Sequence, residues 1–354
     1  MYARLESVIE LTWSDMAPPG SDRTIDHTTR VGFLLVPGYA LLPYACSIDP
    51  LRAANTLSGR RLYQWINLSP DGAPVESSSG LAIPAACRLA DAPPLDLVFV
   101  VAGGNPATFR DPATFDWLRR MSRAGVRIGG VSGGPWVLAQ AGLLRGHRLT
   151  LHWEHAEAFA EEFPSLDLRR SLYEIDRDRL TCSGGTAPLD MMHALIARHH
   201  GAALAVSVSD WFMQTEIREG ANPQRMALRH RTGTSNRAVL RALEAMEGAA
   251  ETPLPRDTIA AAAKVSVRQM ERLFRLHLNH TPGEHYKLVR LDRSRLLLRQ
   301  SGLSILEVAV ACGFGSASHF SRAYRLAFGH TPSAERAARF SDTGVDSQAT
   351  ANAL

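Results

Sequence analysis

Residues 127–144 read RIGGVSGGPWVLAQAGLL. The stretch 126–131 is a short, mainly apolar run without helical spacing and reads as a buried strand. Residues 134–144 carry apolar side chains at helical spacing. Between them Gly130-Val131-Ser132-Gly133-Gly134 fits G-x-S-x-G, the strand-to-helix elbow on which hydrolases expose a nucleophile. A strand turning directly into a helix predicts a parallel α/β layer. Ser132 is then either a nucleophile or a side chain whose elbow serves another purpose.

The same alternation runs from residue 31 to about 200. Residues 31–37, 63–69 and 95–104 read as strands, the last ending in Gly103-Gly104. Residues 46–57, 112–125, 154–164 and 186–201 read as helices, with Gly125 and Pro164 as stops. Residues 173–185 read as two short strands joined by a turn. This pattern predicts a mainly parallel sheet covered on both faces, in a domain spanning 28–214 after an N-terminal extension, 1–27. The stretch 201–213 is expected to be helical. Residues 215–236 hold Pro and several Gly without an apolar stripe and read as a linker. From 237 to 340 every segment is short and helical. The polar, small-residue stretch 341–354 reads as a disordered tail.

A chain of 354 residues has room for two such domains. No apolar run approaches the roughly 20 residues of a membrane span. Glu6, Glu10 and Asp15 interrupt the N-terminal stretch, so a signal peptide is not expected and a cytoplasmic protein without a membrane partner is. Cys46, Cys87, Cys182 and Cys312 are scattered without C-x-x-C, which predicts no metal, no cofactor and no disulfide framework. Charge is uneven: 236–340 holds 16 Lys+Arg against 9 Asp+Glu, while the preceding residues are nearly neutral. Basic charge confined to one domain is the footprint of a polyanion partner.

That basic part contains a repeat. SVRQMERLFRLHLNHTP (266–282) and SASHFSRAYRLAFGHTP (316–332) align at an offset of 50 residues without a gap. Ser266/Ser316, Arg272/Arg322, Arg275/Arg325, Leu276/Leu326, His280/His330, Thr281/Thr331 and Pro282/Pro332 are identical, and Met270/Phe320 and Phe274/Tyr324 keep one apolar face. Each copy follows a shorter helix (about 258–263 and 305–311) and a tight turn. Gly313 and Gly315 mark the second turn. Each unit is therefore helix, turn, longer helix with Ser as N-cap. The opposite face of the longer helices offers Arg268, Gln269, Glu271 and Arg272 in the first unit. In the second it offers Ala317, Ser318, His319, Ser321 and Arg322. A helix over 283–299 would space the two units for major grooves roughly 34 Å apart. Its Arg290, Arg293, Arg295 and Arg299 are expected in solvent or near phosphates. The HTP ends read as helix-end signals.

On these motifs the segment resembles the AraC family of transcriptional regulators. The resemblance implies that Arg268, Glu271 and Arg272, then Ser318, Ser321 and Arg322, face bases or phosphates of double-stranded promoter DNA, Arg being suited to guanine O6/N7. The larger part, through VVAGGNP (100–106), 130–164 and 176–196, resembles the ThiJ/PfpI, or type 1 glutamine amidotransferase-like, superfamily, which implies a flavodoxin-like parallel-sheet sandwich. The two together resemble AraC-family regulators carrying such a domain. They imply a homodimer, contact with RNA polymerase, and promoter activation in response to a small-molecule effector such as an amino acid or quaternary amine.

Enzymes of that superfamily use cysteine at the elbow, often followed by histidine; here the pair is Ser132-Gly133. A serine hydroxyl needs an adjacent base, and none is beside it in sequence, so no catalytic residue is assigned. The elbow still places backbone N–H groups at a helix start above the carboxyl ends of parallel strands, where ligands bind. Ser132, Gly133, Gly103 and Gly104 are therefore candidates for a ligand carboxylate, and His152 for the pocket wall. Asp49 and Glu154 offer negative charge for an ammonium group, and Trp136 and Trp153 aromatic faces. The rival readings are an active amidase or hydrolase with Ser132 as nucleophile, fused to a DNA-binding domain, and an architectural DNA binder whose first domain only dimerises.

Overall fold

The computed structural model describes residues 27–338; the expected extension up to residue 26 and the expected tail 341–354 lie outside them. The main sheet has seven strands: β1 (Thr29–Leu35), β2 (Tyr63–Ser69), β3 (Cys87–Arg88), β4 (Leu97–Ala102), β5 (Arg127–Ser132), β6 (Tyr173–Asp176) and β7 (Arg179–Cys182). Their order is β6-β7-β5-β4-β1-β2-β3, parallel throughout except for the β6–β7 hairpin. The chain runs outward from β1 through β2 to β3, then returns to β4 on the other side of β1. The switch point is thus between β1 and β4.

Side chains alternate across the central strands as a period of two requires. Val31, Phe33, Leu35, Leu97, Phe99 and Val101 face a layer made by α1 (Leu41–Ser58), α5 (Ala187–His200) and α6 (Ala202–Trp211). Leu34, Val98, Val100 and Ala102 face α2 (Pro112–Arg123), α3 (Gly134–Gln140) and α4 (Ala156–Glu162). Both faces being buried, β4 reads LVFVVA without polar alternation. Asp111 caps α2 through the Ala113 and Thr114 N–H groups, which fixes where that helix begins.

After α6 the chain does not hang free. Arg218 and Gln214 bond to the buried Asp190 of α5, and Gln224 donates to Thr150 Oγ1, Leu151 O and Ser171 O at 2.8–3.0 Å. The expected linker is therefore, over 214–225, a strap laid on the α/β layer. Farther on it contains a short helix, α7 (Leu228–Thr232), which a missing apolar stripe had concealed.

The remaining helices are α8 (Arg237–Gly248), α9 (Arg256–Ala263), α10 (Val267–Leu278), α11 (Pro282–Gln300), α12 (Ile305–Ala311), α13 (Ala317–Phe328) and α14 (Pro332–Ala338). Their starts are written in the sequence. Ser266 and Ser316 accept from the third N–H of α10 and α13, and Thr281-x-x-Glu284 and Ser304-x-x-Glu307 form capping boxes on α11 and α12. Pro282 and Pro332 occupy first helical positions, where their missing N–H costs nothing. Among the described residues no helix is long and apolar enough to cross a membrane.

Candidate functional site

At the elbow, Ser132 ends β5 with φ 60, in the left-handed region that costs an ordinary residue about 1–2 kcal/mol. Neighbouring loops hold it there. Gly133 N–H donates to Ala102 O (3.0 Å) and His152 N–H to Ser132 O (3.2 Å). A side chain at Gly184 would come within 2.8 Å of Ser132 Cβ, and one at Gly134 within 1.9 Å of Val100 O. Both glycines are thus demanded by close approach, and the loops after β4, β5 and β7 close over one point.

The structure brings Ser132, Gly133, Gly103, Gly104, His152, Trp153 and Glu154 onto loops leaving the sheet or folding against its carboxyl end. It does not give all of them the expected roles. The Gly133 N–H is spent on Ala102 O and does not wait for an anion. Trp136 is fully buried, its ring packed edge-on against Phe159 and Phe163, so it builds the core instead of a pocket. Asp49 sits inside α1 and is engaged by Arg52 at 3.1 Å, and Pro50 is part of the same helix. Trp153 does carry a cation on its face, the guanidinium of Arg225 at 4.5 Å. The ammonium role expected of Trp153 is thus contested from within the chain.

His152 Nδ1 accepts from the Glu154 N–H (3.4 Å) and lies 3.8 Å from Glu154 Oε2. Burial pushes its pKa down, against the nearby Glu154 charge. His155 is buried and held near pH 4 by desolvation, so it is neutral; its Nδ1–H donates to Gln300 Oε1. Among the described residues, no imidazole or carboxylate hydrogen-bonds Ser132 Oγ. Burial raises the neighbouring Cys182 thiol to about 12, which makes it a poor nucleophile.

Sequence reasoning missed Tyr39. It lies in the turn after β1, where Gly103 packs so closely that a Cβ there would sit 2.8 Å from Ala40 N. Its ring is buried edge-on to Tyr44, and its hydroxyl has no hydrogen-bond partner. A buried orphan hydroxyl near a switch point is the kind of group a ligand satisfies. The only sequence signal was its place in the β1–α1 turn.

In the helical part the two repeats match in burial as well as sequence. Met270 and Phe274 are buried in α10, Phe320 and Tyr324 in α13, and Arg268, Gln269, Arg272, Ser318, His319 and Arg322 are exposed. Arg268, Gln269, Glu271, Arg272 and Arg275 lie together on one open face of α10. Glu271 and Ser321 are half-buried at the edge of these faces, Glu271 lying 3.7 Å from Arg256. The turns use Lys264 (φ 59) in the first unit and Gly313 (φ 69) in the second.

The arginines of α11, expected in solvent or near phosphates, are engaged within the chain, although Arg299 remains exposed. Arg290 donates to Cys312 O and Gly313 O and stacks on Phe314. Arg293 pairs with Glu157 of α4 at 3.1 Å, and Arg295 and Arg299 with Glu335. Glu335, 2% exposed, also accepts from Tyr324 (2.7 Å) and pairs with His330. The second HTP end thus supplies a packing hydrogen bond, His330 Nε2 to Glu335 Oε2, beyond its helix cap.

The comparisons with known proteins agree with both halves. Residues 31–198 match the DJ-1/PfpI family, and residues 259–338 match a helix-turn-helix domain family. The HTH-type transcriptional regulator GlxA of Rhizobium meliloti is 47% identical over 322 residues, which cover 91% of this chain and 98% of that protein. The regulators CdhR and GbdR of Pseudomonas aeruginosa are 46% and 43% identical over 305 and 320 residues, covering 86% and 90% of this chain and 90% and 87% of theirs. The chain belongs to the family of AraC-type, DNA-binding transcriptional regulators that carry an N-terminal DJ-1/PfpI domain.

Proposed function

We propose that the DJ-1/PfpI domain is a sensor that does no chemistry, and that a small carboxylate metabolite, an amino acid or a quaternary amine, binds at the elbow and changes promoter occupancy. The observation that carries this reading is Ser132 itself, kept at φ 60 without a base at its hydroxyl. A strained turn with no base at its hydroxyl supports a binding role over a nucleophilic one. The orphan hydroxyl of Tyr39 favours a polar ligand, and Glu154 favours one with a cationic end. The output is proposed to be activation, by a homodimer that engages RNA polymerase. Exposed Val206, Trp211 and Met213 on and just after α6 favour that face for self-association.

The DNA contacts proposed are Arg268, Gln269, Glu271 and Arg272 from α10 and Ser318, His319, Ser321 and Arg322 from α13. Arg272→Ala and Arg322→Ala are each expected to weaken specific operator binding by about 1–3 kcal/mol if they read a base. If they hold phosphate instead, each lowers the salt slope by about one. Unchanged affinity and salt slope in both variants would remove these helices from the interface. For the sensor, purified protein is expected not to turn over small amides or esters. Turnover abolished by Ser132→Ala would establish the enzyme reading instead.

A further inference from the structure

The loops that build the elbow also hold the end of α11. Asn105, directly after Gly103-Gly104, donates from Nδ2 to Arg299 O at 3.3 Å. His155 donates to Gln300 Oε1 at 2.7 Å, both residues being buried. Glu157, two residues further, pairs with Arg293. Arg299 then reaches Glu335, and Glu335 holds Tyr324 of α13. The apolar packing is continuous across the same junction: Trp136 and Phe159 belong to one cluster with Leu297, Leu298, Val308, Phe320 and Tyr324. The core of the first helix-turn-helix unit, built from Val239, Leu243, Ile259, Met270, Phe274 and Tyr286, is a separate cluster.

We propose that the sensor and the second helix-turn-helix unit form one latched body, to which the first unit is joined through α11 and through its 251–253 turn at Gly313, and that the elbow's occupancy is read at α13 through the Asn105–Arg299 and His155–Gln300 contacts. The regulatory half of this proposal rests on the sensor reading above; the latch itself does not. His152 to His155 is a single turn, its N–H at 155 bonded to His152 O at 2.9 Å, and His152 N–H is bonded to Ser132 O. A ligand that shifts Ser132 or His152 therefore displaces the donor that grips Gln300. Both recognition helices keep their outer faces exposed in the latched arrangement. The latch thus acts by orienting the second unit against the first, not by covering either, and a ligand biases it only by binding its states unequally.

Hydrogen exchange on the full chain tests this. Without added ligand, Gln300→Ala is expected to speed amide exchange over 296–328 by about five- to tenfold, the scale of one lost hydrogen bond, while α8–α10 keep wild-type rates. Glu157→Gln, a milder change on the α4 side, is expected to move the same segments in the same direction. Unchanged exchange in both variants, or equal acceleration in α8–α10, overturns the latch. In a second arm, glycine betaine and the proteinogenic amino acids are added to wild type. A compound that raises the melting midpoint is expected to alter protection in α11–α13, and to lose that effect in Gln300→Ala. A compound that binds yet leaves α11–α13 unchanged overturns the proposed coupling. If none binds, the sensor reading fails by itself, and the ligand-free exchange still decides the latch.

Discussion

Arg218 Nη2 lies 2.6 Å from Asp190 Oδ2, and the Arg218 N–H donates to Oδ1 at 2.9 Å. Asp190 is fully buried, so its carboxylate is solvated by the strap that follows α6. Removing one partner of a buried pair leaves an uncompensated charge, at a cost of about 3–5 kcal/mol. Arg218→Ala is expected to lose about that much in urea denaturation. A loss below about 1 kcal/mol would mean that the strap contributes little to holding the domain.

Tyr39 offers a prediction in which stability and binding part ways. Its hydroxyl is buried without a partner, so Tyr39→Phe removes an unpaired polar group and is expected to leave stability unchanged or raise it by about 1 kcal/mol. Effector affinity is expected to fall. A destabilised Phe variant would show that the hydroxyl is already satisfied in the free protein.

The elbow's backbone makes a contrasting pair. Ser132→Gly relieves the φ 60 conformation at the cost of a looser unfolded chain, for a net change of about 0 to 1 kcal/mol in favour of folding. Ser132→Val puts a β-branched side chain in that region and beside Gly184, and is expected to lose at least about 2 kcal/mol. Equal melting midpoints for the two would contradict the strained elbow.

Glu335 predicts an acid limb. Burial opposes its ionisation, but hydrogen bonds from Tyr324, His330, Arg299 and Arg295 outweigh burial and bring its pKa to about 2, from an ordinary 4.5. A carboxylate depressed on folding adds stability that is full above the unfolded value and is lost as pH falls toward the folded one. Unfolding of the second unit is expected to become easier between about pH 4.5 and 2. Glu335→Gln is expected to be less stable at neutral pH, by about 2 kcal/mol, and to lose much of that pH dependence. An unchanged profile would sink the role given to this cluster.

What the sequence made legible is local. The strand-elbow-helix, the gapless repeat and the serine caps depend on neighbours a few residues apart, and they stand where the pattern placed them. Arg290 and Arg293 were misread, and the pairing of Arg295 and Arg299 went unseen, because their partners, Cys312, Glu157 and Glu335, lie from 22 to 136 positions away. Gln224 and Arg218 looked like linker residues for the same reason. Trp136 shows another limit: helical periodicity marks an apolar face, but not whether that face meets a pocket or the core.

The most direct test of the sensor account is ligand-dependent thermal unfolding of the full chain, across amino acids and quaternary amines, with Ser132→Ala and Tyr39→Phe alongside. A ligand bound only to the native state at 100 times its dissociation constant adds about 2.7 kcal/mol. The account predicts that at least one compound raises the wild-type midpoint saturably, raises it less in both variants, and is recovered chemically unchanged. A midpoint indifferent to every compound, or a compound consumed in a Ser132-dependent reaction, would contradict it.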